Sequence, residues 1–431
     1  MNAVTMAVDG ARLAPRLERI TAASLLGFVA ALQVSIALAH ILLTATLLSW
    51  ALLRAREGAR PAAPSFFVPL AAYGGLTLLS SAFSIDPLAS LVDSKQLVLL
   101  AIVPAVYDIA RGPRASTVAD VIISVGAASA VFGIVQYGVL HYDNLGQRPQ
   151  GALTHYMTYS GVLMLVIAAA AARLVFGARD RLWPALVMPA LVVAVALTFT
   201  RNAWIGACVA VGLLLVLRDF RLTGLLPVVV ALLFVLAPQG LISRLTSTFD
   251  AQDPANQDRF AMIEVGALMV RDHPLTGVGP NMVPEVYAEY RPDYAVNETN
   301  PHLHNVPLQI AAERGLPALA VWIWFVGAVS ASLFGVFRSR VAPGAADAHQ
   351  RRVLSAAALA STAAMLAAGL FEYNFGDSEF LMLYLVLITL PFAAVRADGG
   401  PPPRTAPLPH AGVRDGSPGP MSADDASASR G

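Results

Sequence analysis

Apolar runs long enough to cross a bilayer recur along nearly the whole chain, and they constrain the fold more than any single motif does. A membrane hydrocarbon core is spanned by about 20 apolar residues of helix, whose backbone polar groups are all paired within the segment. The runs fall near 20–36, 38–54, 64–84, 93–110, 115–138, 157–176, 182–200, 202–218, 222–237, 316–337, 353–371 and 379–396. Residues 20–54 are long for one span and short for two, with His40 near the middle as the expected turn. Residues 182–218 read as two spans flanking Thr200-Arg201-Asn202. The expected fold class is therefore all-α, a polytopic integral membrane protein of about twelve transmembrane helices.

Composition agrees. Charged residues make up 13% of the chain and hydrophobic ones 56%, against about 25% charged in ordinary soluble domains. That leaves too little polar surface to cover a soluble globule, and far too much apolar sequence for a disordered chain. The net charge of +1 excludes the basic surface a nucleic-acid binder needs. The single cysteine, Cys208, lies inside an apolar run and excludes both a disulfide framework and a thiolate zinc site.

Alternating the spans across the membrane divides the chain into a cytoplasmic segment 1–19, helices one to nine over 20–237, a large outer loop 238–315, helices ten to twelve over 316–396, and a tail 397–431. The tail is rich in Pro, Gly, Ala and Ser and reads as disordered. This layout puts 21 of the 29 basic residues on one side, including the clusters around Arg54, Arg111, Arg173 and Arg351. The positive-inside rule makes that side cytoplasmic and leaves both termini there. Residues 1–19 lack the short apolar core and small-residue site of a cleavable signal.

Two outer loops exceed a short connection, 139–156 and 238–315. In the second, Phe260, Ile263, Ala267 and Val270 repeat at helical spacing near 257–271, which suits a helix lying along the membrane surface. His273-Pro274 and Gly277-Val278-Gly279-Pro280 end it. A second helix is expected to start near His302–Asn305 and to end at Gly315.

Basic residues are scarce on the outer side, so each one there needs a reason. Arg201, at a membrane edge between two apolar spans, reads either as a snorkelling side chain or as an anion site. Arg259 follows Asp258 at the start of the loop helix, where a solvated ion pair is the plainer alternative. Arg148 taken alone is a loop arginine, and Lys95 an interfacial anchor. The pair His302 and His304 precedes Asn305. Either imidazole can cap or pack, or serve as a general base near neutral pH. No third ligand stands at a familiar metal spacing, so no metal is expected. Glu372, Asp377 and Glu379 form an acidic outer turn beside Asn374. No P-loop, dinucleotide fingerprint or nucleophile-elbow serine is present, and no cofactor is expected.

Thr200-Arg201-Asn202-Ala203-Trp204 after an apolar span, Asp258-Arg259 in the long outer loop, Pro274-Leu275-Thr276-Gly277-Val278-Gly279-Pro280, and His304-Asn305 ahead of Gly315 together resemble the O-antigen ligase/polymerase family. The resemblance implies a glycosyltransferase acting on the periplasmic face of the bacterial inner membrane. Its donor would be a glycan on undecaprenyl diphosphate and its acceptor a sugar hydroxyl of lipid A–core, with membrane lipid as surroundings. It implies Arg201 and Arg259 as diphosphate ligands, Arg148 as a further one and His304 as the catalytic histidine. His302, Asn305, Lys95 and Asp258 are accessory candidates. O-antigen polymerase and protein O-oligosaccharyltransferase are the alternatives within the family. A transporter is the alternative outside it, but would need polar groups along several spans, and these offer only Gln33, His40 and Gln136.

Overall fold

The computed structural model describes residues 3–177, 181–225, 243, 253–339 and 346–396, and every structural statement below concerns those residues. Most of the span expected over 222–237, the loop segment with Arg244 and Asp250, and the tail 397–431 lie outside them. The described chain is helical, with no strand. In order come α1 (Ala3–Ala31), α2 (Ile36–Glu57), α3 (Phe67–Ala82), α4 (Pro87–Asp93), a 3₁₀ segment (Ser94–Ala101), α5 (Ile102–Ile109), α6 (Arg114–Gly138), α7 (Tyr156–Phe176), α8 (Leu182–Leu197) and α9 (Arg201–Arg218). A 3₁₀ turn (Phe220–Leu225) follows, then α10 (Pro254–Asp272), α11 (Val283–Tyr290), α12 (Val306–Arg338), α13 (Ala346–Gly369), a 3₁₀ turn (Asn374–Gly376) and α14 (Ser378–Ala393). Seven segments are long and apolar enough to cross a membrane, and α3, α8 and α14 are shorter apolar helices.

Residues 20–54 form parts of two helices, but the break falls at 32–35 rather than at His40. Ser35 is extended and caps α2 by accepting the Leu38 N–H, whereas His40 lies inside α2 with Nδ1 on the Ile36 carbonyl. A capping serine outweighs a histidine as a stop signal. The three polar span residues are structural or local. Gln33 donates to the Ile122 carbonyl, and Gln136 clamps the next loop by accepting the Gln150 and Gly151 N–H groups.

The centre of the bundle is built from α7, α13 and α14, the first and last of which are buried over most of their length. Alanine and serine at Ala356, Ala360, Ser361, Ala364 and Ala368 let α13 approach α7 and α9 closely. A Cβ at Gly206 of α9 would fall 2.1 Å from the Met164 sulfur. At the ends of α2, α5 and α14 farthest from the Asn374 turn, Asp108 is buried and receives Trp50, Arg111 and Arg396, with Arg54 nearby. Three arginines that the charge pattern assigned to one side thus share one end of the bundle.

The segment 254–303 packs around its own apolar cluster of Met262, Val265, Met269, Met282, Val286 and Tyr287. Most of the α10 stripe read from periodicity faces away from that cluster: Phe260 and Ile263 are 56% and 51% exposed and Ala267 is exposed, and only Val270 packs against it. This helix carries two apolar faces, and periodicity alone does not say which one meets protein. The segment is latched to the bundle by residues 276–280. Val278 and Gly279 donate to the carbonyls of Ala312 and Glu313, the single Ser80 hydroxyl proton is shared between those of Thr276 and Glu313, and Ser90 donates to that of Pro280. Gly315 (φ +80°) kinks α12 here, and a Cβ on it would lie 2.2 Å from the Leu275 carbonyl oxygen. Gly277 and Gly315 are therefore there for backbone contact, whereas a Cβ on Gly279 would meet the Ser84 and Ser90 side chains.

Candidate active site

His304 owes its position to its neighbours. It is itself in the left-handed region (φ +47°), a conformation uncommon for a residue with a Cβ and concentrated at functional sites. Asn305 follows in extended conformation and caps α12, its Oδ1 accepting the Leu308 N–H at 2.9 Å. Its Nδ2 donates to the Leu370 carbonyl at 3.1 Å, tying this turn to the end of α13. On the other side, the Leu303 N–H donates to Gln309.

The imidazole of His304 then meets Glu372, Nδ1 to Oε2 at 2.8 Å. An ionised carboxylate only accepts, so Nδ1–H is the donor and Nε2 of a neutral ring is left as a base. His302 stands beside it, its ring 4.1 Å from that of His304 and its Nε2 3.5 Å from the other Glu372 oxygen. Burial opposes the charge on Glu372, but the His304 hydrogen bond and the two imidazoles outweigh it and hold the carboxyl below the usual range. Burial pushes His302 down to about 4, with Glu372 opposing, so His302 is neutral at neutral pH. Its Nδ1 is buried with no hydrogen-bond partner.

Arg201 opens α9 after a turn in which Phe199 is left-handed and Thr200 extended. It is 6% exposed and reaches Asp253 at 3.2 Å and Asn256 at 3.5 Å, at the start of α10. Burial lowers the pKa of Arg259, whose charge is felt by Glu372, Arg201, Asp253 and Asp258. Arg148 is also lowered by burial, and it too is near enough to Arg201 to be repelled. Its guanidinium lies 4.2 Å over the Tyr156 ring while Nε donates to the Leu145 carbonyl. Arg148 and Arg259 each stand within electrostatic reach of Arg201, and Arg259 within reach of Glu372, which holds His304. Asp258 is buried and accepts from Asn300, which anchors the strip leading to His302. Lys95 is exposed on the 3₁₀ segment before α5 and does not line the adjoining cavity.

That cavity, about 250 Å³, lies between the ends of α7, α9, α13 and α14 nearest His304. Its polar lining includes Thr158, Asn202, His302, Glu372, Asn374 and Asp377. Burial pushes Asp377 up to about 6, with Glu379 adding to the effect and the Phe380 N–H and Thr158 hydroxyl opposing it. Glu372 was legible in the sequence only as one member of an acidic turn. Its partnership with His304 spans 68 positions, and no local pattern encodes it. The third donor that His302 and His304 lacked at short spacing is supplied the same way. Ligand atoms of His302, His304 and Glu372 lie within 4.8 Å of one another, a donor set that by residue type suits a zinc-like ion.

Among the described residues, an all-helical chain with several apolar spans, carrying arginines, a histidine–carboxylate pair and a cavity at one end, points to a membrane protein. Residues 185–323 match the family model described as O-Antigen ligase, a stretch that holds Arg201, Arg259 and His304 but neither Arg148 nor Glu372. The match supports assignment to the O-antigen ligase/polymerase family and suggests an enzyme of glycosyltransferase type. No curated protein matches the chain.

Proposed function

We propose that this chain is an O-antigen ligase, transferring glycan from undecaprenyl diphosphate to a sugar hydroxyl of lipid A–core on the periplasmic face of the inner membrane. The observation that carries the reading is that Arg201 is repelled by both Arg148 and Arg259, and that Arg259 is in electrostatic reach of Glu372, the partner of His304. Like charges gathered at the end of a helical bundle are stabilised by an anion, and guanidinium forks match diphosphate oxygens while remaining protonated. The amino terminus of α9, which begins at Arg201, adds its partial positive charge.

In the proposed step His304 Nε2 removes the proton from the acceptor hydroxyl as that oxygen attacks the anomeric carbon. The bond from that carbon to the phosphate oxygen breaks, its electron pair stays on undecaprenyl diphosphate, and the arginines stabilise the charge that grows there. Glu372 holds the His304 tautomer and stabilises the imidazolium that forms. Attack opposite the leaving group inverts the anomeric configuration. No step needs a metal, because the diphosphate is already an activated leaving group and the guanidiniums supply the positive charge.

The test is transfer by purified protein in nanodiscs from purified lipid-linked donor, offered either lipid A–core or a second lipid-linked repeat. The ligase reading expects the first acceptor to be used and Arg259→Ala to cost about 10²–10³ in rate. Use of the second acceptor alone would make the chain a polymerase. Retention of anomeric configuration in the product would reject the single displacement.

A further inference from the structure

We propose that the cavity beside His302 and Glu372 is a saccharide subsite that takes one neutral, hydroxyl-bearing sugar ring, with Asn374 and Asp377 accepting its hydroxyls. This deepens the ligase reading and rests on it for the source of the sugar. Three observations carry it. The first is charge. The lining contains two carboxylates, Glu372 and Asp377, and no arginine or lysine, while the three arginines stand outside it. A diphosphate entering this space would be repelled, whereas sugar hydroxyls are donors that carboxylates bind well. The division separates an anion-binding half of the site from an acceptor-rich half.

The second observation is unspent hydrogen-bonding capacity. Asn374 is 6% exposed, and its Nδ2 donates to the Met365 carbonyl while its Oδ1 has no partner. His302 Nδ1, on the same lining, is also buried and without a partner. Buried polar atoms are rarely left unpaired, and small rotations of Asn374 and His302 toward the cavity they line let a ligand there complete them. Asp377 accepts one bond on each oxygen, from Phe380 N–H and from the Thr158 hydroxyl, and each oxygen keeps a second lone pair. The third observation is size and surface. At about 250 Å³ the cavity is below the roughly 300–1,000 Å³ range of drug-sized pockets and fits a single ring. Apolar contacts from Met164 and Phe380 suit the C–H face of such a ring. A sugar seated there has its hydroxyls beside the Glu372 carboxylate that holds His304.

The sugar can come from the acceptor or from the first residue of the donor glycan, and one binding experiment separates them. Affinities of wild type and Asp377→Asn in nanodiscs are measured for lipid A–core lacking O-antigen, for glycan-bearing undecaprenyl diphosphate and for bare undecaprenyl diphosphate. Loss of about tenfold for a sugar-bearing lipid, with bare undecaprenyl diphosphate within about twofold, supports the subsite and names the source by which lipid is affected. An equal loss for bare undecaprenyl diphosphate overturns it, as does no loss for either sugar-bearing lipid. Should Asp377→Asn fail to fold, Thr158→Ala removes the hydroxyl that orients Asp377 and is read in the same way. Arg259→Ala is the independent arm. Unchanged affinity of that variant for bare undecaprenyl diphosphate would count against the diphosphate reading, whatever Asp377→Asn does.

Discussion

Replacing Glu372 by Gln tests whether the histidine is a positioned base or a packed side chain. The carboxylate accepts from His304 Nδ1 at 2.8 Å and stands 3.5 Å from His302 Nε2, and it is 8% exposed. Glutamine keeps the volume, but its amide removes the charge and allows the opposite His304 tautomer, in which Nε2 carries the proton. Loss of the orienting carboxylate beside a catalytic imidazole costs up to about 10⁴ in kcat, and general base catalysis as a whole contributes about 10²–10⁴. A fall in kcat of about 10²–10⁴ with little change in KM for the lipid-linked donor is the expected result. The assay is single-turnover transfer from a radiolabelled donor by purified protein, with far-UV circular dichroism to establish folding. A kcat within about threefold of wild type, in a folded protein, would refute the role given to the pair. Stability carries a second signature. Glu372 has its pKa depressed in the folded state, so the stability it contributes is present above the ordinary carboxylate pKa and is lost as pH falls through the folded value. Glu372→Gln removes that acid-limb dependence.

Gly315→Ala places a methyl group against the Leu275 carbonyl at a positive φ, and a loss of about 2–4 kcal/mol in stability is expected by thermal denaturation. Asp377 behaves oppositely to Glu372: its pKa is raised from 3.8 to about 6, so its contribution is fully present below the ordinary value and lost as pH rises toward 6. Asp377→Asn, which retains the capping acceptor for Phe380, should therefore gain stability relative to wild type by about 1–3 kcal/mol between pH 4 and 6 and hold that gain above pH 6. A flat difference across that range, read as melting temperature against pH, would contradict the assignment. EDTA should leave transfer unchanged. Loss of activity restored by zinc would instead give His302, His304 and Glu372 the role of metal ligands.

Helix positions were legible because apolar runs and caps are local signals. The runs at 64–84, 115–138 and 157–176 correspond to α3, α6 and α7. The α10 helix was legible for the same reason, but its orientation was not, since both Phe260/Ile263 and Met262/Val265 are apolar stripes. Helix α11 left no periodic signal because it is only eight residues long. Arg201, Arg259 and His304 stood out through charge on an underpopulated side and through motif resemblance. Glu372, Asn374 and Asp377 stood out only as a polar turn. Their chemistry depends on α13 and α14 delivering that turn to the His302–His304 strip, a tertiary contact between segments that share no sequence pattern.

The most direct measurement is glycan transfer by His304→Ala in the presence of EDTA, with wild type alongside, from purified undecaprenyl-diphosphate-linked donor to lipid A–core. The account predicts that wild type transfers and His304→Ala, correctly inserted and still binding donor, does not. Transfer at the wild-type rate by His304→Ala would contradict it.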